Sequence, residues 1–456
     1  MSPCTLSFEG GSVLLRGLPE EVSAPLPDAL LDRRVGAVRL PAHHYHLAVR
    51  HLVRQGVPFE DRARAYQDCS LPRERLPDPR DYQREGLDAW HTARRRGIVV
   101  LPTGAGKTVL ALWAIAETAR SALVVVPTLD LLNQWYDVLC RSFGEELVGT
   151  VGGGSFEVRP LTVITYDSAY LHLERLGDRF GLLICDEAHH LTGETYASGP
   201  RMCLAPFRLG LTATPPDGEG MQALIRTLGP VIYRKEIVDL AGDTLSPYET
   251  VRIKVSLPPA ERAAYEAARQ TYRAFVRERG LRLGGRFGWA RFLAATSASA
   301  EGRAAFAAWR AQRRIALATP AKLEVLADLL SRHANERMLV FTHANECAYE
   351  VSRRFLVPVI THQTRPPERR AILQGLVDGS TPVVATSRVL NEGVDLPSVG
   401  VGVVLSGTAT VREHVQRLGR LLRRREGKRA ILYEVVTADT SEEEASKRRR
   451  EHSAYR

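Results

Sequence analysis

Two series of short, wholly apolar runs alternate with amphipathic helical segments, and this alternation constrains the fold more than any other feature. The first series is Gly97-Ile-Val-Val-Leu, Ala122-Leu-Val-Val-Val, Leu161-Thr-Val-Ile-Thr, Leu182-Leu-Ile-Cys and Arg208-Leu-Gly-Leu-Thr. The second is Arg337-Met-Leu-Val-Phe, Val357-Pro-Val-Ile, Thr381-Pro-Val-Val-Ala, Gly400-Val-Gly-Val-Val-Leu and Ala430-Ile-Leu-Tyr-Glu-Val. A strand apolar on both faces must be covered on both, and strands separated by helices cross over to lie parallel. The expectation is an α/β chain with two doubly wound parallel-sheet domains, at residues 76–245 and 319–445. A length of 456 residues accommodates both with room for further modules.

The remaining sequence reads differently. Residues 1–75 hold short alternating runs, Ser12-Val-Leu-Leu-Arg and Val35-Gly-Ala-Val-Arg-Leu, then a helical pattern through Tyr45-His-Leu-Ala-Val-Arg-His-Leu-Val, the signature of a small α+β module. Leu71-Pro-Arg-Glu-Arg-Leu-Pro-Asp-Pro-Arg is rich in Pro and charge and reads as a linker. Between the two strand series, residues 246–318 read as a helical insertion rich in Ala and Arg. Residues 446–456, with Lys447-Arg-Arg-Arg, read as an exposed basic tail.

Composition excludes several classes. Hydrophobic residues make up 44% and charged residues 25%, which suits large cores and excludes wholesale disorder. No run approaches the roughly 18 apolar residues that span a bilayer, and the first residues lack a basic-then-apolar leader, so a protein that is neither exported nor membrane-bound is expected. Cys4, Cys69, Cys140, Cys185, Cys203 and Cys347 are scattered without metal-ligand spacing, as expected of reduced thiols in a cytoplasm. The cluster His43-His44-Tyr45-His46 lacks partners at ligand spacing and reads as ordinary surface or core histidines. A net charge of +10 makes a polyanion a natural partner. Residues 261–324 alone carry 13 basic groups against 5 Glu.

The chemistry sits in short strings. Leu101-Pro-Thr103-Gly104-Ala105-Gly106-Lys107-Thr108 follows an apolar strand and opens a helix. Glycines let backbone N–H groups curl around phosphates at a helix N-terminus, Lys107 supplies a point charge and the Thr108 hydroxyl can ligate Mg²⁺. Leu101 stands where the usual loop has Gly. Asp186 and Glu187 close the strand Leu182–Cys185 in Asp186-Glu187-Ala188-His189-His190; the first can hold Mg²⁺ and the second can polarise an attacking water. Gln416, Arg420 and Arg423 share a helical face in the second α/β domain, where guanidiniums could reach a γ-phosphate.

Gln83 in Asp81-Tyr-Gln-Arg, the phosphate loop, Val126-Pro-Thr-Leu-Asp-Leu-Leu-Asn-Gln-Trp135, Thr165-Tyr-Asp, Asp186–His189, Leu211-Thr-Ala-Thr-Pro215, Leu339-Val-Phe-Thr-His343, Ala385-Thr-Ser-Arg-Val-Leu-Asn-Glu-Gly-Val-Asp395 and Gln416–Arg423 occur in the order of the superfamily 2 helicase motifs. The chain resembles the XPB-like DNA repair helicases of the DEAH type, particularly the compact archaeal kind. The resemblance implies two tandem RecA-like motor domains, a damage-recognition module at 1–75 and a thumb-like, DNA-gripping insertion. It implies ATP and Mg²⁺ as cofactors, DNA as partner and a separate nuclease working alongside. Gln83 would read adenine; Lys107, Thr108 and Asp186 would hold phosphates and Mg²⁺; Glu187 would activate water. Gly393 and Asp395 would touch the γ-phosphate region and ribose, and Gln416, Arg420 and Arg423 would complete the site. His189, Thr212 and Thr214 would couple hydrolysis to domain closure, while Thr128, Thr165 and Thr386 mark candidate DNA contacts.

The resemblance has one conspicuous departure. The Arg-Glu-Asp element that such proteins carry soon after Thr-Ala-Thr is replaced by Pro215-Pro216-Asp217-Gly218-Glu219, which puts strand separation by that element in doubt. The sequence therefore reads as a 3′-to-5′ DNA helicase or translocase of repair. Competing readings are a motor of a restriction, phage-defence or RNA-processing system, and an ATP-switched nucleic-acid scaffold. Aromatics of the insertion, Tyr265, Tyr272, Phe275, Phe287, Trp289, Phe292, Phe306 and Trp309, could stack on bases, but their helical spacing favours core packing.

Overall fold

The computed structural model describes residues 4–240, 248–283, 288–387, 399–406 and 430–449. The chain divides into two units, Met1–Glu236 and Ile237–Arg456. Gly393, Asp395, Gln416, Arg420, Arg423 and the aromatic Phe287 lie outside the described residues.

The first unit begins with a five-stranded sheet of order β3-β4-β2-β1-β5, formed by β1 (Cys4–Glu9), β2 (Ser12–Arg16), β3 (Leu30–Asp32), β4 (Ala37–Pro41) and β5 (Phe59–Arg62). Helix α1 (Glu20–Ser23) is a single turn, and α2 (Tyr45–Arg54) buries Tyr45, Ala48 and Leu52 against Leu6, Val13, Leu15, Val38 and Leu40 of the strands. Gly10 and Gly11 turn the β1–β2 hairpin at φ 54° and 71°, a region only glycine enters cheaply. A Cβ on Gly11 would meet Met202 Cγ at 2.5 Å, so the turn presses directly on the neighbouring domain.

That neighbour is an eight-stranded sheet of order β13-β6-β12-β11-β7-β10-β8-β9. Its strands are β6 (Arg96–Val100), β7 (Ala122–Val126), β8 (Val148–Gly152), β9 (Ser155–Phe156), β10 (Leu161–Thr165), β11 (Leu182–Cys185), β12 (Phe207–Thr212) and β13 (Val231–Arg234). All pairs are parallel except β8–β9. The helices α3 (Asp81–Thr92), α4 (Lys107–Thr118), α5 (Leu129–Phe143), α6 (Tyr166–Leu176), α7 (Glu194–Arg201) and α8 (Gly218–Leu228) supply the crossovers. The central strands β7, β10 and β11 are buried at every residue, as covering on both faces requires.

The segment joining module to sheet is docked rather than slack. Ala65 N–H donates to the Asp178 carbonyl (3.0 Å), Ser121 N–H to Gln67 (2.8 Å) and Cys69 N–H to Ala119 (2.8 Å). Trp113 Nε1 donates to the Pro77 carbonyl at 2.9 Å, and Leu204 completes the module's own core. The histidine cluster is structural: His44 Nε2 lies 3.1 Å from Asp28, His46 Nδ1 bonds the His43 carbonyl, and His43 is 5% exposed.

The second unit holds a wholly parallel six-stranded sheet of order β14-β19-β18-β15-β17-β16. Its strands are β14 (Tyr248–Val255), β15 (Met338–Phe341), β16 (Val359–Ile360), β17 (Val383–Thr386), β18 (Val401–Val404) and β19 (Ala430–Thr437). One expectation changes here. Residues 248–255, read as the start of a helical insertion, form an edge strand along the full length of β19. Their half-polar sequence suits an edge, which is covered less than a central strand.

After α9 (Ile237–Leu240), the insertion itself is α10 (Pro259–Glu278), α11 (Gly288–Ser297) and α12 (Ala300–Ala318). Most of its aromatics pack on each other: Phe275 and Phe292 are buried, Tyr272 meets Phe292 edge-on at 5.6 Å, and Phe306 stacks on Trp309 at 5.6 Å, while Tyr265 is buried against Leu257, Ile315 and Ala316. Trp289 remains 42% exposed. Helices α13 (Pro320–Arg332), α14 (Asn345–Phe355), α15 (Pro366–Asp378) and α16 (Ser441–Arg449) are the unit's remaining helices among the described residues. The expected basic tail starts inside α16, where Ser446 is fully buried and its hydroxyl donates to Glu434 at 2.9 Å. Among the described residues no helix is long and apolar enough to cross a membrane, and all six cysteines are free.

Candidate nucleotide-binding site

Strands β6, β12, β11 and β7 lie side by side and run the same way, so their C-terminal ends bring four distant stretches of sequence to one edge. The carboxyl edge of a doubly wound sheet is where such folds bind ligands. Leu101, just past β6, donates its N–H to the carbonyl of Thr212 at the end of β12 (3.0 Å).

The loop from Thr103 to Gly106 then curls into α4. Gly104 and Gly106 have φ of 86° and 74°, and Gly106 is the left-handed N-cap of the helix that Lys107 and Thr108 begin. Two side chains from α3 clamp the loop from outside: Tyr82 OH donates to the Ala105 carbonyl at 2.6 Å, and Gln83 Nε2 donates to Ala105 and Gly106 carbonyls at 2.9 and 3.1 Å. Gln83 Oε1 accepts the Arg80 N–H at 2.9 Å. A Cβ on Gly106 would lie 2.5 Å from Gln83 Nε2. The expected adenine reader thus buttresses the phosphate loop. Lys107 Nζ reaches back to the Leu101 carbonyl at 3.4 Å.

Asp186 follows β11 and is 7% exposed. Its Oδ1 accepts the Glu187 N–H and its Oδ2 the Trp135 indole N–H, both at 2.9 Å, while Tyr166 OH donates to its carbonyl at 2.9 Å. Burial first, and the adjacent Glu187 second, push the Asp186 carboxyl up to about 6, against the pull of Lys107. Glu187 holds a left-handed backbone (φ 47°, ψ 50°), a conformation costly for a residue with a Cβ and typical of functional positions. Its Oε2 is buried without a hydrogen-bond partner and lies 3.5 Å from His189 Nδ1.

The coupling candidates connect as a chain. His189 Nδ1 is 3.2 Å from Thr212 Oγ1, which accepts the Thr214 N–H at 3.2 Å. Thr103 Oγ1 and Thr214 Oγ1 are buried without partners. Orphaned oxygens, a crowded glycine loop and a carboxylate pair with Lys107 close by form a donor set suited to phosphates and a hard cation. Thr108 and Asp186 would hold the cation, and the N–H groups at the start of α4 would meet phosphate.

Of the DNA candidates, Thr128 and Thr165 lie at carboxyl ends in the same sheet, as N-caps of α5 and α6, accepting the N–H of Leu131 (3.3 Å) and Ser168 (3.2 Å). Thr386, in the second unit, is fully buried and spends its hydroxyl on the Ile360 carbonyl at 3.1 Å. Sequence reasoning assigned no role to Tyr82, Trp135 or Tyr166, although each stands inside a quoted motif. An aromatic with a polar tip beside a site residue was the available signal.

The family described as "Xeroderma pigmentosum group B helicase damage recognition domain" matches residues 6–63, "Type III restriction enzyme, res subunit" matches 76–217 and "Helicase conserved C-terminal domain" matches 321–425. The DNA 3′-5′ translocase XPB2 of Sulfurisphaera tokodaii is 41% identical, covering 82% of this chain and 84% of that protein. The DNA 3′-5′ helicase XPB of Kineococcus radiotolerans is 30% identical over 95% of this chain and 73% of its own length. Among solved structures, the Pyrococcus furiosus Hef helicase domain superposes with a TM-score of 0.51 at 18% identity, covering 81% of this chain and 97% of that one. Saccharomyces cerevisiae Dbp5 bound to RNA and ADP BeF3 gives 0.57 at 14% identity, covering 82% and 87%. These two establish the tandem parallel-sheet fold alone. With the strand-end site, the module and two such relatives in agreement, the chain belongs to the XPB-like family of superfamily 2 helicases.

Proposed function

We propose that this protein is an ATP-driven DNA motor of repair, moving 3′ to 5′, with hydrolysis at the Lys107–Asp186–Glu187 site. The observation that carries the reading is the meeting of that trio with the loop Thr103–Gly106 at one sheet edge. Main-chain N–H groups at the start of α4 and the Lys107 ammonium bind and orient the phosphates of ATP. Thr108 and Asp186 would hold Mg²⁺, which when bound would supply neutralisation of charge on the phosphoryl group. Glu187 takes the proton of the attacking water, its Oε2 having no competing hydrogen bond. His189, Thr212 and Thr214 pass the state of that carboxylate along their contacts.

Gln83 meets adenine by exchanging its loop contacts for the base. Gly393 and Asp395 serve the ribose and γ-phosphate region, Arg420 and Arg423 act as arginine fingers, and Gln416 assists them. Thr128 and Thr165 mark helix N-termini that offer N–H groups to a DNA backbone. The Asp186–His189 box supports a DEAH-type assignment, and the resemblance adds a separate nuclease as partner, testable by co-purification. Because Asp217 and Glu219 are exposed where the family carries Arg-Glu-Asp, we favour translocation over unwinding.

The test is steady-state hydrolysis by wild type and Glu187→Gln, alone and with single-stranded DNA, forked DNA and RNA at matched low salt. Strong stimulation by DNA, lost in the variant, is expected. Stimulation by RNA alone sinks the DNA reading, and equal turnover in the variant sinks the site. Strand displacement from a fork by the wild type would overturn the translocation-only preference.

A further inference from the structure

The chain has only six lysines, and one of them, Lys322, is 2% exposed inside the second unit. Its ammonium donates to the Leu405 carbonyl at 2.7 Å and to the two Glu442 carboxylate oxygens at 2.7 and 2.6 Å. Burial lowers its basicity and Glu442 opposes that. A buried ammonium survives only when each of its protons has an acceptor, and here all three do. The compact head also suits a point where three acceptors converge, which a planar guanidinium would overfill. In a chain that otherwise uses Arg almost throughout, this choice is specific.

The pair joins four elements. Lys322 lies in the first turn of α13, Leu405 follows β18, and Glu442 lies in the first turn of α16. Glu442 also accepts the Thr437 N–H at 2.9 Å, and Thr437 Oγ1 donates to the Ala316 carbonyl near the end of α12 at 2.6 Å. From α10, Tyr265 OH accepts the Ser441 N–H at 2.9 Å and Arg262 donates to the Ala438 and Asp439 carbonyls at 3.1 and 3.2 Å. A second route leaves α12 at Arg313, whose Nη2 is 3.3 Å from His343 Nε2, and His343 N–H donates to Ser406 Oγ at 2.8 Å. Two of the three helices of the basic insertion, α10 and α12, therefore reach the same corner, Leu405–Ser406, by separate chains of contacts. That corner also takes the Leu405 N–H bond to Phe341 (3.0 Å), and in sequence it leads into the stretch bearing Gln416, Arg420 and Arg423.

We infer that Lys322 and Glu442, with Arg313 and His343, are positioning residues that hold the Leu405–Ser406 corner in register with the insertion, so that DNA gripped there accelerates hydrolysis. The inference rests on the motor reading above. Lys322 cannot touch substrate, since its donors are spent; its effect is transmitted through a main-chain carbonyl. Coupling through packed, hydrogen-bonded elements is physically reasonable, and its proof is energetic.

The test uses the full chain with Lys322→Met/Glu442→Leu, which removes the ion pair without leaving a lone buried charge. His343→Ala breaks the second route at a half-buried site and needs no core change. Hydrolysis is measured with and without saturating single-stranded DNA, together with DNA affinity by fluorescence anisotropy and thermal melting. The expected result is DNA-stimulated kcat reduced about tenfold, with KM for ATP and DNA affinity changed less than about twofold. Combining the two lesions should cost less than the product of their effects, since both loosen one corner. Folded variants with wild-type stimulation overturn the inference. So does a loss of DNA affinity in step with stimulation, which makes the pair part of the grip alone. If the double variant fails to fold, His343→Ala decides by the same criteria. Wild type without DNA stimulation refutes the motor reading itself, and the inference with it.

Discussion

Asp186 and Glu187 put two carboxylates side by side at a buried strand end, with one cation, Lys107, opposing them. Lys322 and Glu442 put opposite charges together and leave no donor of the ammonium unused. The first cluster is electrostatically incomplete, carrying a carboxyl of weakened acidity, a left-handed backbone and a buried oxygen without a hydrogen bond. The second is complete. One is arranged to receive a charged ligand, the other to hold a shape, and substitutions should separate the two by whether they cost activity or stability.

The largest expected effect is on turnover. Glu187→Gln should lower ATP hydrolysis by about 10² to 10⁴-fold, the usual reach of a general base, while the melting temperature stays level or rises because one of two like charges has gone. Phosphate release and differential scanning fluorimetry check this; a marked loss of stability would place Glu187 with the shape-holding cluster. Next comes Lys322→Met alone, which strands Glu442 and should cost about 3–5 kcal/mol in urea unfolding. Adding Glu442→Leu should recover most of that loss. Full stability in the single variant would end the contrast.

Gly106→Ala tests the receiving cluster by crowding. A Cβ at φ 74° and 2.5 Å from Gln83 Nε2 should cost about 1 kcal/mol or more of stability and weaken ATP binding, measured by calorimetry. The smallest effect is acid-linked. With Asp186 pushed up to about 6, the native chain keeps a proton that the unfolded chain releases near about 3.9. Stability from this group therefore increases as pH falls through about 6. Asp186→Asn should melt above wild type at pH 8, and the gap should close by pH 5. A gap independent of pH would show that Asp186 titrates normally.

The phosphate loop and Asp186–Glu187 were legible because each is a contiguous string at the end of an apolar strand, where local sequence and chemistry coincide. Parallel sheets were legible for the same reason: β7, β10 and β11 are apolar at almost every position. What escaped depends on partners distant in sequence. Strand β14 declares itself only through β19, some 180 residues later, and its polar half, Glu249, Thr250, Arg252 and Lys254, looks like any charged segment. Trp135 Nε1 on Asp186 and Glu442 on Lys322 are long-range pairs; the first residue is marked only by its polar-tipped ring within a motif, and the second has no local mark. Gln83 stands out in its motif as an expected adenine reader, yet its clamp on Ala105 and Gly106 follows from the packing of α3 beside the loop, which spacing does not reveal.

The docked segment after β5 also bears on how the protein can be dissected. Its residues satisfy main-chain groups of Ser121, Ala119 and Asp178, and Leu204 sits in the module's core. Cutting near residue 75 would bare those groups and strip apolar cover from both pieces, so each fragment should be sticky and short-lived in isolation. Protease should spare the bonded residues 65–69 in the intact chain and cut first at the exposed run 72–75. Recombinant work aimed at the module is better served by point changes on its outer face than by truncation.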